Sequence, residues 1–91
     1  MAKLLIHGHA VPARLSKEGM EIEPKEGDIE GLLLEAVEEA AELREVLIKD
    51  GRLRTDITIL VNGRHCMFLE GLKTKVLKGD IVEVLLPMIG G

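Results

Sequence analysis

Asp80-Ile81-Val82-Glu83-Val84-Leu85-Leu86-Pro87-Met88-Ile89-Gly90-Gly91 is the stretch on which the reading of this chain turns. Its β-branched, apolar run from Ile81 reads as a strand, and Pro87 ends it because proline has no N–H to give to a ladder. Val82, Val84 and Leu86 fall on one side of that strand, Ile81 and Leu85 on the other. A strand apolar on both sides is expected to be buried on both and to lie in the middle of a sheet. The segment after Pro87 would then leave a rigid central strand rather than a loose edge. Gly90 and Gly91 have no side chains, so they present bare backbone ending in a carboxylate, thin enough for a channel that admits no Cβ. On the dipeptide alone, fraying is the plainer reading. The rest of the chain reverses it.

Upstream, Ile57-Thr58-Ile59-Leu60-Val61 reads as a strand with Ile57, Ile59 and Val61 pointing one way. Asn62-Gly63 follows as a type I′ hairpin turn, and a brief returning strand is expected over His65-Cys66-Met67-Phe68. Leu72 to Leu77 reads as a link and Gly79-Asp80 as the turn into the last strand. At the other end, Lys3-Leu4-Leu5-Ile6-His7 is a strand, and Gly8 to Gly19 is mostly loop with a helical turn at Ala13-Arg14-Leu15. Met20-Glu21-Ile22-Glu23 alternates as a half-wet strand closed by Pro24.

Asp28 is a good N-cap for a helix whose apolar stripe runs Ile29, Leu33, Ala36, Val37, Ala40, Leu43, Leu47, with Gly51 as its stop. Uninterrupted, that helix would span roughly 33 Å at ~1.5 Å per residue. So small a domain predicts a break near Ala41 to Arg44 and a second short helix to Lys49. The element order is thus strand, strand, helix, strand, short strand, strand. One mixed sheet packed on one main helix, an α+β domain over residues 1–91 with a flexible diglycine tail at 88–91, is the economical solution.

The 91 residues are 46% hydrophobic but only 1% aromatic, Phe68 being the single aromatic side chain, so the core is aliphatic and base-stacking platforms are missing. Twelve basic against sixteen acidic residues give a net charge of -4, which argues against nucleic acid and for a basic surface on a protein partner. Cys66 is the only cysteine, Met1-Ala2-Lys3-Leu4 opens no signal segment, and no apolar run reaches membrane length. A cytoplasmic protein with no membrane partner is expected. One Asn and no Gln, beside many Glu and Lys, hint at a thermophile.

Three stretches resemble a known family. Ala13-Arg14-Leu15 is similar to its alanine-arginine-leucine element after the first strand, and Val61-Asn62-Gly63-Arg64 to its asparagine-glycine hairpin. Leu77-Lys78-Gly79-Asp80-Ile81-Val82-Glu83-Val84, running to Pro87 and Gly90-Gly91, is similar to its ending. The family is that of the ubiquitin-like β-grasp sulfur carriers. The resemblance is nearest to the small subunit of molybdopterin synthase and more distant to the thiamine-biosynthesis carrier. The single Pro87 and the Ile89 before the glycines depart from the molybdopterin pattern, and Ile89 is closer to the thiamine one.

The resemblance implies a co-substrate rather than an enzyme in its own right. An adenylating partner, similar to ubiquitin-activating enzymes, would use ATP to activate the Gly91 carboxylate, and a sulfur donor would then leave a thiocarboxylate. The molybdopterin synthase large subunit would receive the sulfur. Gly91 is the implied reactive residue, Gly90 the slender neck, and Pro87, Met88 and Ile89 the docking tail. No cofactor binds the domain itself.

Two alternatives remain: a ubiquitin-like modifier joined through Gly91 to lysine, or a carrier for thiamine or tRNA thiolation. An interaction module with an inert tail is a third. His7, His9, His65 and Cys66 lack structural-zinc spacing, so the histidines default to core or surface, no metal is assigned, and Cys66 reads as a small hydrophobe. Glu35, Glu38, Glu39, Glu42 and Glu45 read as a solvated helix face, or else as a patch steering a basic partner.

Overall fold

The computed structural model describes residues 1–9, 11–23 and 27–87. The expected strands form a five-stranded mixed sheet: β1 (Ala2–His7), β2 (Met20–Ile22), β5 (Thr58–Val61), β6 (Arg64–His65) and β7 (Ile81–Leu85), in the order β2-β1-β7-β5-β6. β7 is therefore the middle strand. It runs parallel to β1, with Leu4 opposite Val82 and Ile6 opposite Val84, and antiparallel to β5, with Ile59 opposite Val84 and Val61 opposite Val82. Parallel neighbours need a long crossover, and the 73 residues between His7 and Ile81 supply it.

α1 (Ile29–Glu39) is capped by Asp28, whose Oδ1 accepts the Gly31 N–H at 2.8 Å. Its buried face holds Ile29, Leu32, Leu33, Ala36 and Val37, packed with Leu4, Ile6, Val82, Val84 and Ile59 in one aliphatic core. The helix breaks at Ala40, which is extended (φ -133°, ψ 93°). A 3₁₀ turn over Ala41–Leu43 and α2 (Arg44–Leu47) then bring Leu43 and Leu47 back into the core. The break predicted from helix length is present. No helix among the described residues is long and apolar enough to cross a membrane.

Three expectations are corrected. The second helix ends at Leu47, and Ile48 and Lys49 instead form β3 (Ile48–Lys49), paired with β4 (Arg52–Leu53) in a separate two-stranded ribbon. Asp50 (φ 54°) and Gly51 (φ 80°) make its turn, so Gly51 closes a hairpin and not a helix. The strand expected over His65 to Phe68 stops at His65, and Cys66–Phe68 winds into a 3₁₀ turn. Lastly, β7 is central but not buried on both faces. Val82 and Val84 are 0% exposed, whereas Ile81 is 41% and Leu85 38% exposed on the other side. The helix covers one face of the sheet and leaves the outer face partly open.

Candidate functional site

β7 is fixed at its start by a latch that local sequence patterns do not reveal. Asn62 (φ 52°) and Gly63 (φ 83°) make the type I′ turn between β5 and β6. The Asn62 side chain also reaches across to the start of β7. Its Nδ2 donates to Asp80 Oδ1 at 3.0 Å, and its Oδ1 accepts the Ile81 N–H at 2.9 Å. Asp80 Oδ2 in turn accepts the Leu77 N–H at 2.8 Å. Two of the three family-like stretches thus meet in space. Their only local signal is the Asn-Gly and Gly-Asp pairs, each of which by itself reads as a turn.

The third stretch, at Ala13-Arg14-Leu15, lies in a single helical turn (Arg14–Glu18). Leu15 enters the core, while Arg14 forms an exposed ion pair with Glu42 beside the helix break. The hydrogen bond holds the Glu42 carboxyl below the usual carboxylate range and raises the Arg14 guanidinium. One member of the predicted glutamate row therefore serves the fold locally, while Glu38 and Glu39 end α1 and Glu45 lies in α2, so the break at Ala40 divides the row.

At its far end β7 is held as well. The Leu86 N–H donates to the His7 carbonyl at 2.9 Å, extending the ladder with β1. Leu86 and Pro87 are half-buried and line a cleft of about 330 Å³ with His9, Glu45, Val46 and Arg54. Arg54 is itself anchored by two hydrogen bonds to Asp56, of 2.9 and 2.8 Å, which lower the Asp56 carboxyl and raise the guanidinium. Pro87, expected in the docking tail, is thus partly packed against the domain. Met88, Ile89, Gly90 and Gly91 lie outside the described residues.

Beside this exit, the outer face of the sheet carries Leu5 of β1, Leu60 of β5, and Ile81 and Leu85 of β7. Among them stand polar residues, Lys3, Glu21 and Thr58, and one ion pair, His7 Nε2 with Glu83 Oε2 at 3.0 Å. Past β6, Met67, Phe68 and Leu69 project, Phe68 being 82% exposed with its ring edge-on to His65 at 5.9 Å. The single aromatic residue is thus spent on the surface, which composition alone does not reveal. A face of mixed aliphatic and polar side chains next to a chain exit suits a protein partner.

The histidines and Cys66 do not converge. His7 faces outward on β1, His65 accepts the Met67 N–H at 3.0 Å, and Cys66 is buried in the core, where burial pushes its thiol up. Among the described residues, no three of His, Cys, Asp and Glu gather to hold a metal ion.

Comparison with known proteins agrees with this geometry. The small archaeal modifier protein 1 of Methanosarcina acetivorans, a solution structure, superposes with a TM-score of 0.80 at 24% identity, over 99% of this chain and 95% of that one. A protein of Archaeoglobus fulgidus named "Putative sulfur carrier protein" is 33% identical over 82 residues, 89% of this chain and 93% of its own. Small archaeal modifier protein 3 of Haloferax volcanii is 40% identical over 45 residues, 50% of this chain and 49% of its own. The ThiS family pattern matches residues 13–91. With the sheet order and the helix already in place, the chain is a ubiquitin-like β-grasp protein and belongs to the ThiS family.

Proposed function

We propose that this protein is a sulfur carrier in which the carboxylate of Gly91 is the reactive group, serving molybdopterin synthesis. The observation that carries the reading is the family match, which runs through the diglycine to residue 91. The central β7, latched by Asn62 and Asp80 at one end and by His7 at the other, supports it by giving the tail a fixed origin.

A carboxylate resists attack because its charge and resonance protect the carbon. In the proposed cycle a partner enzyme binds ATP and the Gly91 oxygen attacks the α-phosphate. The bond to pyrophosphate breaks, leaving an acyl-adenylate. Sulfur delivered at the oxidation level of hydrosulfide adds to the acyl carbon, AMP departs, and a thiocarboxylate remains. That anionic sulfur is then presented to a precursor on the molybdopterin synthase large subunit. The carrier contributes Gly91, a neck at Gly90, the Pro87-Met88-Ile89 segment and the outer sheet face for docking. It holds no cofactor of its own and acts in the cytoplasm.

Deleting Gly91, or adding an alanine after it, moves the carboxylate by about 3.5 Å. Misplacement of ~1 Å can cost ~100-fold in rate, so both variants stay folded yet release no pyrophosphate with ATP and the activating enzyme. Normal release from the deletion variant would leave only the inert-tail module. A second reading, conjugation of Gly91 to lysine as a modifier, is favoured by the matches to small archaeal modifier proteins. Intact mass of protein from its own cells separates the two: exchange of one oxygen for sulfur supports the carrier, high-mass conjugates the modifier.

A further inference from the structure

Among the described glycines outside α1, Gly8 is the one without a positive φ. Its backbone does not demand glycine, so another cause is needed. The cause is crowding. A Cβ placed on Gly8 would fall 3.0 Å from Leu86 Cβ, 3.0 Å from Leu86 Cδ1 and 3.3 Å from Leu86 Cγ. Ordinary contacts between carbon atoms lie at about 3.5–4.0 Å, so any side chain at this position must push Leu86 aside. The bare Gly8 forms a notch directly after β1, and Leu86, directly after β7, lies across it. The Leu86 N–H bond to the His7 carbonyl at 2.9 Å fixes the backbone at the same point. Leu86 and Pro87 also line the cleft shared with Val46 and Arg54.

We propose that Gly8 is a positioning residue: the space left by its missing side chain seats Leu86, and thereby sets the direction in which Pro87 and the residues after it leave the sheet. This deepens the carrier reading and rests on it. Beyond Pro87 only four residues remain to Gly91. A chain of four residues spans at most about 14 Å, so the region its end can reach is set by where Pro87 leaves the domain. Once the outer sheet face is docked, a change of direction at Leu86 moves that region away from the bound ATP.

Gly8→Ala is expected to keep its melting temperature and its KM for the activating enzyme within about twofold, while kcat for pyrophosphate release falls about tenfold. Leu86→Ala alone empties the seat and slows release several-fold. Placed in the Gly8→Ala background, the same change removes Cγ and Cδ1, two of the three crowding atoms, and raises kcat. That reversal of sign separates seating from a general loss of packing.

A second readout needs no enzyme. Amide hydrogen exchange at Leu86 quickens in Gly8→Ala, while Ile6 and Val84 exchange as before. Unchanged exchange at Leu86 overturns the seating, whatever the enzyme does. Faster exchange with unchanged kcat overturns its link to activation. Should the unaltered protein release no pyrophosphate at all, the carrier reading fails, and the exchange experiment still decides whether Gly8 seats Leu86.

Discussion

Both faces of β7 carry branched aliphatic residues, but only the outer one also carries a charge, Glu83, and only the inner one is sealed. Val82 and Val84 are sealed under α1, while Ile81 and Leu85, in alternate positions of the same strand, stay open to solvent. Apolar side chains on both faces suggest two-sided burial. Side-chain chemistry fixes which strand belongs at the centre of the sheet, but it cannot say whether the chain itself covers the second face. Here there is one main helix and two faces. An aliphatic face that the chain leaves partly uncovered is the surface on which the proposed docking would fall.

The comparison is most severely tested by Val84→Asp. A carboxylate there has no polar partner and no water, and a buried unpaired charge costs more than the ~5–10 kcal/mol that holds a small domain together. The variant is expected to be unfolded at neutral pH, with far-ultraviolet circular dichroism lacking the native helix signal. A folded Val84→Asp protein would mean that the inner face is not sealed.

Val82→Ala removes two buried methyl groups and leaves a cavity, at a cost of about 2 kcal/mol. For a domain of this size the melting temperature drops by roughly 10 °C. Urea denaturation should show a lower midpoint with unchanged slope, since the surface exposed on unfolding hardly changes.

Leu85→Asp and Ile81→Asp apply the Val84 chemistry on the opposite face and should leave the protein folded. At 38% and 41% exposure the charges reach water, so the cost stays near the ~1 kcal/mol span of strand propensity. Affinity for the activating enzyme, measured by titration calorimetry, is expected to fall at least tenfold (about 1.4 kcal/mol). Undiminished binding would place the docking surface elsewhere, with the Met67-Phe68-Leu69 projection the next candidate.

What is legible in the sequence follows the same division. β7 at the centre, the helix from Asp28 and its break, and the turn at Asn62-Gly63 can all be read, because periodicity and turn residues are local signals. Asp50-Gly51 carries the same signal as Asn62-Gly63, yet it follows an apolar helical stripe that makes Gly51 look like a helix stop. Strands of two residues, Ile48–Lys49 and Arg52–Leu53, are too short to show alternation. The Asn62–Asp80 latch joins residues 18 apart, and the Gly8–Leu86 contact joins residues farther apart still. Nothing in either residue type announces such a partner. Of the tail, only Pro87 falls among the described residues, and it lines a cleft with Val46 and Arg54, which no pattern near the tail points to.

The smallest effect concerns a pair outside the core altogether. Arg14 and Glu42 meet in solvent, joining the turn after β1 to the helix break. The hydrogen bond from Arg14 holds the folded Glu42 carboxyl below its ordinary value. Such a group stabilises the fold at pH above its unfolded value, and that contribution is lost as the pH falls through the lowered folded value. Solvent screens the pair, so little stability rides on it. Arg14→Ala should therefore move the Glu42 titration midpoint upward, towards the ordinary carboxylate range, when followed by carboxyl carbon NMR. The melting temperature at neutral pH should stay within the error of the measurement. A clear loss of stability at neutral pH would show that the clamp across the helix break matters as the sealed face of β7 does. The division between an interior that holds the fold and a surface kept for partners would then have to be redrawn to include this pair.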